Sequence, residues 1–304
     1  VILIGSVNAE VGLEAGYRVL SQAGSALDAV ETATRLVEDN PDDPTVGTGG
    51  YPNLLGEVEL DASIMEGTGR RAGAVAALTG FCHPISVARQ VMERLPHVLL
   101  AGSGAARFAS EIGAETGELL SEEARRSYEE QVIASLGDPR DLQGELAELA
   151  RMAADPEHVT GTVNILAIDH AGHLASAVST SGWAWKYPGR VGDSPLIGAG
   201  NYCDDRFGAA CCTGFGELAV RASTARSVVA LLATGTPVAE ACAIALGDAM
   251  ALGGVTRERA VLNVVALDRL GNHAGMSTRA GSSYCIRDES GSGPQRLPRT
   301  VLAP

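Results

Sequence analysis

Three short segments carry residue types that can do chemistry together. Thr162 opens the run Thr162-Val-Asn-Ile-Leu-Ala-Ile-Asp169, and Thr180 closes the run that begins at His173. Both runs read as strands, joined by His170-Ala171-Gly172, a loop whose glycine supplies the left-handed position. A hairpin centred on Ala171 sets Thr162 opposite Thr180. Directly opposed Cβ atoms lie about 5 Å apart, so two hydroxyls meet at the open end of the hairpin. The second segment, Gly189-Arg190-Val191-Gly192-Asp193-Ser194, places opposite charges three residues apart in a glycine-rich loop. It reads either as an exposed ion pair of little energetic worth or as a clamp. In the clamp, the planar arginine fork takes an α-carboxylate and the aspartate accepts an α-ammonium. The third segment, Thr213-Gly214-Phe215-Gly216, reads either as turn-forming glycine or as backbone N–H able to approach a reacting carbonyl, as an oxyanion site requires.

The elements that must position these residues follow from periodicity. Val1 to Ile4 reads as a buried strand. Ser25 caps a helix with Asp28 three residues on, and Leu27, Val30, Thr34 and Val37 form its apolar stripe. Val58, Leu60, Ala62 and Ile64 alternate as in a half-buried strand, with Ala74 to Leu78 as its neighbour. Pro84 opens a further helix, and Val98 to Leu100 forms a strand. Residues 115–157 hold twelve acidic residues against four arginines, which predicts a solvated connector dividing the chain, with Leu119, Leu120, Leu136, Leu142, Leu146 and Leu149 allowing helical pieces. After the hairpin come two helical runs, Glu217 to Leu232 and Val238 to Leu252. The stretch Asn164 to Gly172 is echoed 99 residues later by Asn263 to Gly271, with Val261 at the place of Thr162; this reads as two hairpins of one layered sheet sharing turn chemistry. The order of elements suggests helices packed outside stacked sheets.

The 304 residues carry 23 Lys plus Arg against 37 Asp plus Glu, a net charge of −14. That balance excludes a protein that lives by gripping phosphate backbones. With 45% hydrophobic and 20% charged residues the chain is ordinary globular and buries a sizeable core. No apolar run reaches the roughly 18 residues of a membrane helix, so a soluble chain is expected. Its compartment stays open between cytoplasm and a secreted or periplasmic location. The six cysteines show no CxxC spacing, no HExxH is present, and no metal site is expected. GxSxG, P-loop and GxGxxG motifs are absent.

Several motifs in order carry a resemblance. Gly161-Thr162-Val163, Ser179-Thr180-Ser181-Gly182, the long run Gly189-Arg-Val-Gly-Asp-Ser-Pro-Leu-Ile-Gly-Ala-Gly200 and Thr213-Gly-Phe-Gly216 resemble the glycosylasparaginase, isoaspartyl peptidase and plant-type asparaginase family of N-terminal nucleophile hydrolases. Leu36-Val-Glu-Asp-Asn-Pro41, Val46-Gly-Thr-Gly-Gly50, Leu60-Asp-Ala-Ser-Ile-Met65 and Pro84-Ile-Ser-Val-Ala-Arg89 extend the likeness through the first half. The resemblance implies an α+β fold, a four-layer αββα sandwich, as one domain over 1–304. It is made as a precursor that cuts itself between Gly161 and Thr162 into an α-subunit (1–161, with 115–160 as the acidic connector) and a β-subunit (162–304). Thr162 would be the nucleophile and its freed α-amine the base, since an unperturbed α-amine of pKa about 8 needs only a modest downward shift. Thr180 would position Thr162; Arg190 would take the substrate α-carboxylate; Asp193 and the Gly216 carbonyl would take its ammonium; Thr213 and the Gly214 N–H would stabilise the oxyanion. The substrate implied is a small β-aspartyl amide: glycosylasparagine, asparagine or a β-aspartyl peptide. No nucleic acid or membrane partner is implied. No cofactor is needed for the chemistry, a structural sodium ion is compatible with the family, and a homodimer of processed units is the family expectation.

Gly161 stands where glycosylasparaginases have aspartate, as in the isoaspartyl peptidase and plant-type branch. It removes side-chain bulk from the scissile turn and permits strained backbone angles. Val7 replaces a tryptophan, Thr45 a serine of the substrate-binding loop, and Asn164 a glycine. The alternative reading is an uncut, non-catalytic member that keeps the Arg190 and Asp193 clamp and only holds an amino acid.

Overall fold

The computed structural model describes residues 1–140, 146–153, 161–252 and 260–303. Leu142 and the end of the connector before Gly161 lie outside them. In chain order the first part comprises β1 (Ile2–Ser6), α1 (Glu10–Ser21), α2 (Ala26–Glu38), β2 (Leu60–Glu66), β3 (Ala72–Leu78), α3 (Pro84–Arg94), β4 (Leu99–Ala101) and α4 (Gly102–Glu111). The connector contributes α5 (Glu122–Tyr128), α6 (Ala134–Leu136) and α7 (Leu146–Ala153). The last part comprises β5 (Val163–Ile168), β6 (Leu174–Thr180), β7 (Asn201–Asp204), β8 (Gly208–Gly214), α8 (Gly216–Ala222), α9 (Thr224–Ala233), α10 (Val238–Ala251), β9 (Leu262–Asp268), β10 (His273–Ser277), β11 (Ser283–Asp288), β12 (Gln295–Pro298) and β13 (Thr300–Val301).

The strands form an eight-stranded sheet, β12-β11-β1-β5-β6-β2-β3-β4, and a five-stranded sheet, β13-β10-β9-β8-β7. Alternation along each strand sorts side chains into three apolar layers. Leu3, Val163, Ile165, Ala175 and Ala177 face α1 to α4. Ala210, Cys212, Leu262, Val264 and Ala266 face α8 to α10. Ile4, Leu166, Val178, Cys211, Val265 and Leu267 fill the space between the sheets. The result is the four-layer αββα sandwich. Being covered on both sides, β2 is buried at nearly every position, polar Asp61 and Ser63 included, rather than half-buried as its alternation suggested.

The expected hairpin forms in the expected register: Val163 pairs with Ser179 and Ile168 with Leu174. Its echo, β9 and β10, has the matching register, His273 against Leu267. In both turns the aspartate carboxylate accepts backbone N–H groups, Ala171 and His173 at Asp169 and Leu270 and Asn272 at Asp268. The two hairpins lie in different sheets, however, not in one. The helical run beginning at Glu217 is broken at Ser223, whose φ of +50° interrupts the helix. The connector is also less solvated than its charge implied. Tyr128, Val132 and Leu149 are buried with Leu54, Ala184 and Trp185 in a satellite cluster, and the Tyr128 hydroxyl donates to the Leu54 carbonyl at 2.9 Å. Among the described residues its glutamates, Glu122, Glu123, Glu129, Glu130 and Glu148 included, are exposed, while apolar residues at helical spacing pack.

Candidate active site

The apolar layer between the sheets ends in polar side chains. Continuing the alternation of Leu166 and Val178 outward gives Thr162, Asn164 and Thr180; continuing that of Cys211 and Val265 gives Thr213 and Asn263. These positions share one end of the sandwich because β8 and β9 run antiparallel with Thr213 against Asn263. The Thr162 Oγ1 lies 3.4 Å from the Thr180 Oγ1. Thr180 is itself fixed, accepting the Gly182 N–H at 2.9 Å.

Each neighbour of Thr162 is anchored from a different element. Asn164 receives the Ser6 N–H at 2.9 Å and gives its own N–H to the Ser6 hydroxyl, which locks β5 to the end of β1. That hydroxyl donates to Asn8, Asn8 donates to Asp43, and Asp43 holds both the amide and the hydroxyl of Thr45. Thr45 packs against Gly161, where an added Cβ would overlap its side chain. The backbone at Gly161 is not left-handed, so crowding by Thr45, not a strained angle, accounts for the glycine. Across the gap, Asn263 donates to the Thr213 hydroxyl at 3.2 Å, and Gly214 takes a φ of +112° with no room for a Cβ beside the Val261 carbonyl.

An inner pocket of about 10 Å³ is lined by Gly161, Thr162, Thr180, Trp183, Arg190, Asp193 and Gly214 among others. Gly216 lies against Asp193 at the pocket's side: a Cβ there would sit 2.6 Å from the Asp193 carboxylate. Arg190 and Asp193 are not an exposed pair. Asp193 is 5% exposed, its Oδ2 has no hydrogen-bond partner, and burial pushes its carboxyl up to about 7 against the opposing pull of Arg190. The Arg190 fork instead grips Glu217, with Nε–Oε1 at 3.0 Å and Nη2–Oε2 at 2.9 Å, and stacks on Trp183 at 4.3 Å. Gly192 leaves room at the other edge, since a Cβ there would lie 3.0 Å from Nη1. Behind the pocket Lys186 donates to the Ser181 and Glu59 carbonyls, both at 3.0 Å, and burial lowers its ammonium pKa.

Thr162, Thr180, Thr213, Gly214, Arg190, Asp193, Gly216, Thr45 and Gly161 thus converge from both sheets and three loops. Glu217, Trp183, Lys186 and Asn263 join them without having been singled out as site residues. Only Asn263 carried a signal, its place in the echoed hairpin. A second, outer cleft of about 750 Å³ shares Gly161 and Thr162 with the inner pocket, is lined by Thr45 as well, and extends to Arg279 and Arg299. Among the described residues no group of three or more His, Cys, Asp or Glu side chains assembles to hold a metal ion, and no helix is long and apolar enough to cross a membrane.

The sequence profile of the asparaginase family matches residues 8–293. The chain is 37% identical over 278 residues to N(4)-(β-N-acetylglucosaminyl)-L-asparaginase of Elizabethkingia miricola, covering 90% of this chain and 77% of that protein. It is 40% identical over 235 residues to isoaspartyl peptidase/L-asparaginase of Bos taurus, covering 76% and 71%, and 38% identical over 282 residues to plant-type L-asparaginase of Pyrococcus furiosus, covering 92% and 89%. The profile match and these relatives, together with the sandwich and the site at its edge, show that the chain belongs to the asparaginase family of N-terminal nucleophile hydrolases.

Proposed function

We propose that this chain is a self-processing threonine amidohydrolase that releases aspartate from β-aspartyl amides. The observation that carries the reading is the meeting of the Thr162 and Thr180 hydroxyls at 3.4 Å beside a pocket that holds both a guanidinium and an unpartnered buried carboxylate. In the continuous chain Thr162 has an amide nitrogen and no base of its own. Attack of its Oγ on the Gly161 carbonyl breaks the Gly161–Thr162 C–N bond, with the hydroxyl proton passing to the departing nitrogen, and leaves an ester and a free α-amine; water then hydrolyses the ester to the Gly161 carboxylate and the Thr162 hydroxyl. The amine then takes the hydroxyl proton and makes Oγ a nucleophile.

The inner pocket is too small for a substrate while Gly161 fills it, so cutting and departure of that segment create the binding site. Arg190 offers its Nη1 edge, left open by Gly192, to the α-carboxylate, while Glu217 holds the opposite edge in place. Asp193 and the Gly216 carbonyl take the α-ammonium. Oγ attacks the β-carboxamide, the oxyanion is met by Thr213 and the Gly214 N–H, the C–N bond breaks, and the α-ammonium returns its proton to the leaving nitrogen. Water then hydrolyses the acyl-threonine, aspartate leaves, and the hydroxyl is restored. Nucleophile, base and oxyanion donors all come from the chain, so no cofactor is invoked, and the sodium ion compatible with the family is assigned no step. A homodimer of cut units belongs to the same proposal and is read by sedimentation.

Replacing Thr162 by alanine tests the reading. Ammonia release from asparagine and aspartate release from β-aspartyl peptides should both vanish, whereas retained hydrolysis would remove Thr162 from the mechanism.

A further inference from the structure

The outer cleft is far larger than asparagine requires. Its leaving group is ammonia, which needs about the space of one water, roughly 30 Å³, against the 750 Å³ present. The wall formed by the turn between β10 and β11 and the chain after β12 is basic. Arg299 lines the cleft, is only 7% exposed, and its Nε is buried without a hydrogen-bond partner. Among the described residues it has no carboxylate partner, unlike Arg296 beside it, which is held by Glu10. Arg279, exposed on the same wall, also has no ion pair among the described residues. On the opposite wall Asp43 is already committed to Asn8 and Thr45, and Asp42 stands exposed at the rim. Burying a guanidinium without a counter-charge is costly and persists where something else supplies the charge. Burial lowers its pKa to about 10, which leaves it protonated at neutral pH.

We propose that this cleft is the leaving-group subsite of the reaction above, and that Arg299 recognises an anionic leaving group through its carboxylate. The inference rests on the proposed amidohydrolase reaction. Of the three candidate amides, only a β-aspartyl peptide releases a product bearing a carboxylate. Asparagine releases ammonia, and glycosylasparagine releases a neutral sugar amine. The favoured substrate class is therefore the β-aspartyl dipeptide with a free C-terminus.

The experiment compares β-aspartyl-leucine with β-aspartyl-leucinamide, which differ only in the carboxylate, using the wild-type protein, Arg299→Gln and Arg299→Lys. The wild type should prefer the free acid by about tenfold or more in kcat/KM, chiefly through KM. Arg299→Gln should bring that ratio toward one, and Arg299→Lys should restore part of it. A purely structural role would lower both substrates alike and leave the ratio intact, which would overturn the assignment. If Arg299→Gln does not fold, the wild-type ratio decides alone, and a value of one contradicts the subsite. A cut wild-type protein that hydrolyses neither peptide nor asparagine contradicts the proposed reaction itself, whereas one that hydrolyses acid and amide equally contradicts only the subsite.

Discussion

A carboxylate buried as deeply as that of Asp193 costs stability whenever it is ionised. Its pKa rises from 3.8 in an unfolded chain to about 7 here, so the folded state holds a proton that the unfolded state releases. The penalty is full above about pH 7, shrinks as pH falls, and is gone below the ordinary carboxylate range. Asp193→Asn should therefore raise the urea midpoint at pH 8, do so less at pH 5, and lose binding of aspartate at both. In the wild type, KM for a β-aspartyl substrate should rise as pH drops below about 7, because the protonated carboxyl no longer accepts an ammonium. Gly161 makes the complementary case. Gly161→Ala places a methyl against Thr45 and should slow the appearance of cut fragments several-fold on a gel time course, with Thr45→Ala in the same chain recovering the rate. The two threonines were legible in the sequence because strand alternation and one turn fixed their register. Glu217, Trp183 and Lys186 were not, because each reaches the pocket from an element whose approach is set by tertiary packing alone.

At the scale of elements, the β5–β6 hairpin that carries Thr162 is tied to the helix behind it. The turn carboxylate of Asp169 accepts the Ala26 N–H at 3.1 Å, and the Ser25 hydroxyl accepts the Asp28 N–H at 3.1 Å, so two side chains share the cap of α2. Ser25→Ala should cost about 1 kcal/mol in equilibrium unfolding and leave the pH dependence of KM unchanged. A loss well beyond that would mean the cap also holds the hairpin. This cap was readable from Ser25 and Asp28 alone, whereas the contribution of Asp169 was not, being 143 residues away. The echoed hairpin shows the same boundary. Its turn chemistry was legible and its register followed, yet its place in the second sheet was not, since local patterns do not say which sheet a hairpin joins. Its placement gives Asn263 a use that mirrors Asn164: one fixes Thr213 and the other fixes β5 to Ser6.

At the scale of the whole molecule, the proposed cut before Thr162 would leave two interlocked pieces. β1 lies between β5 and β11, and β2 pairs with β6, so strands from both sides of Gly161 interleave in the eight-stranded sheet. Residues from both sides of Gly161 share one core layer between the sheets and another under α1 to α4. Much of the −14 charge lies on the connector, whose Tyr128, Val132 and Leu149 dock in a satellite cluster while its glutamates among the described residues are exposed. The charge therefore bears on the segment before Gly161, and the site itself balances Arg190 and Lys186 against Glu217 and the buried Asp193 beside neutral hydroxyls. The central claim is that the chain cuts itself before Thr162 to become active. Mass spectrometry of the purified protein under denaturing conditions tests it directly. Two fragments, 1–161 and 162–304, are predicted, eluting as one species when native and replaced by a single intact chain in Thr162→Ala. An intact wild-type chain with full amidohydrolase activity would contradict the account.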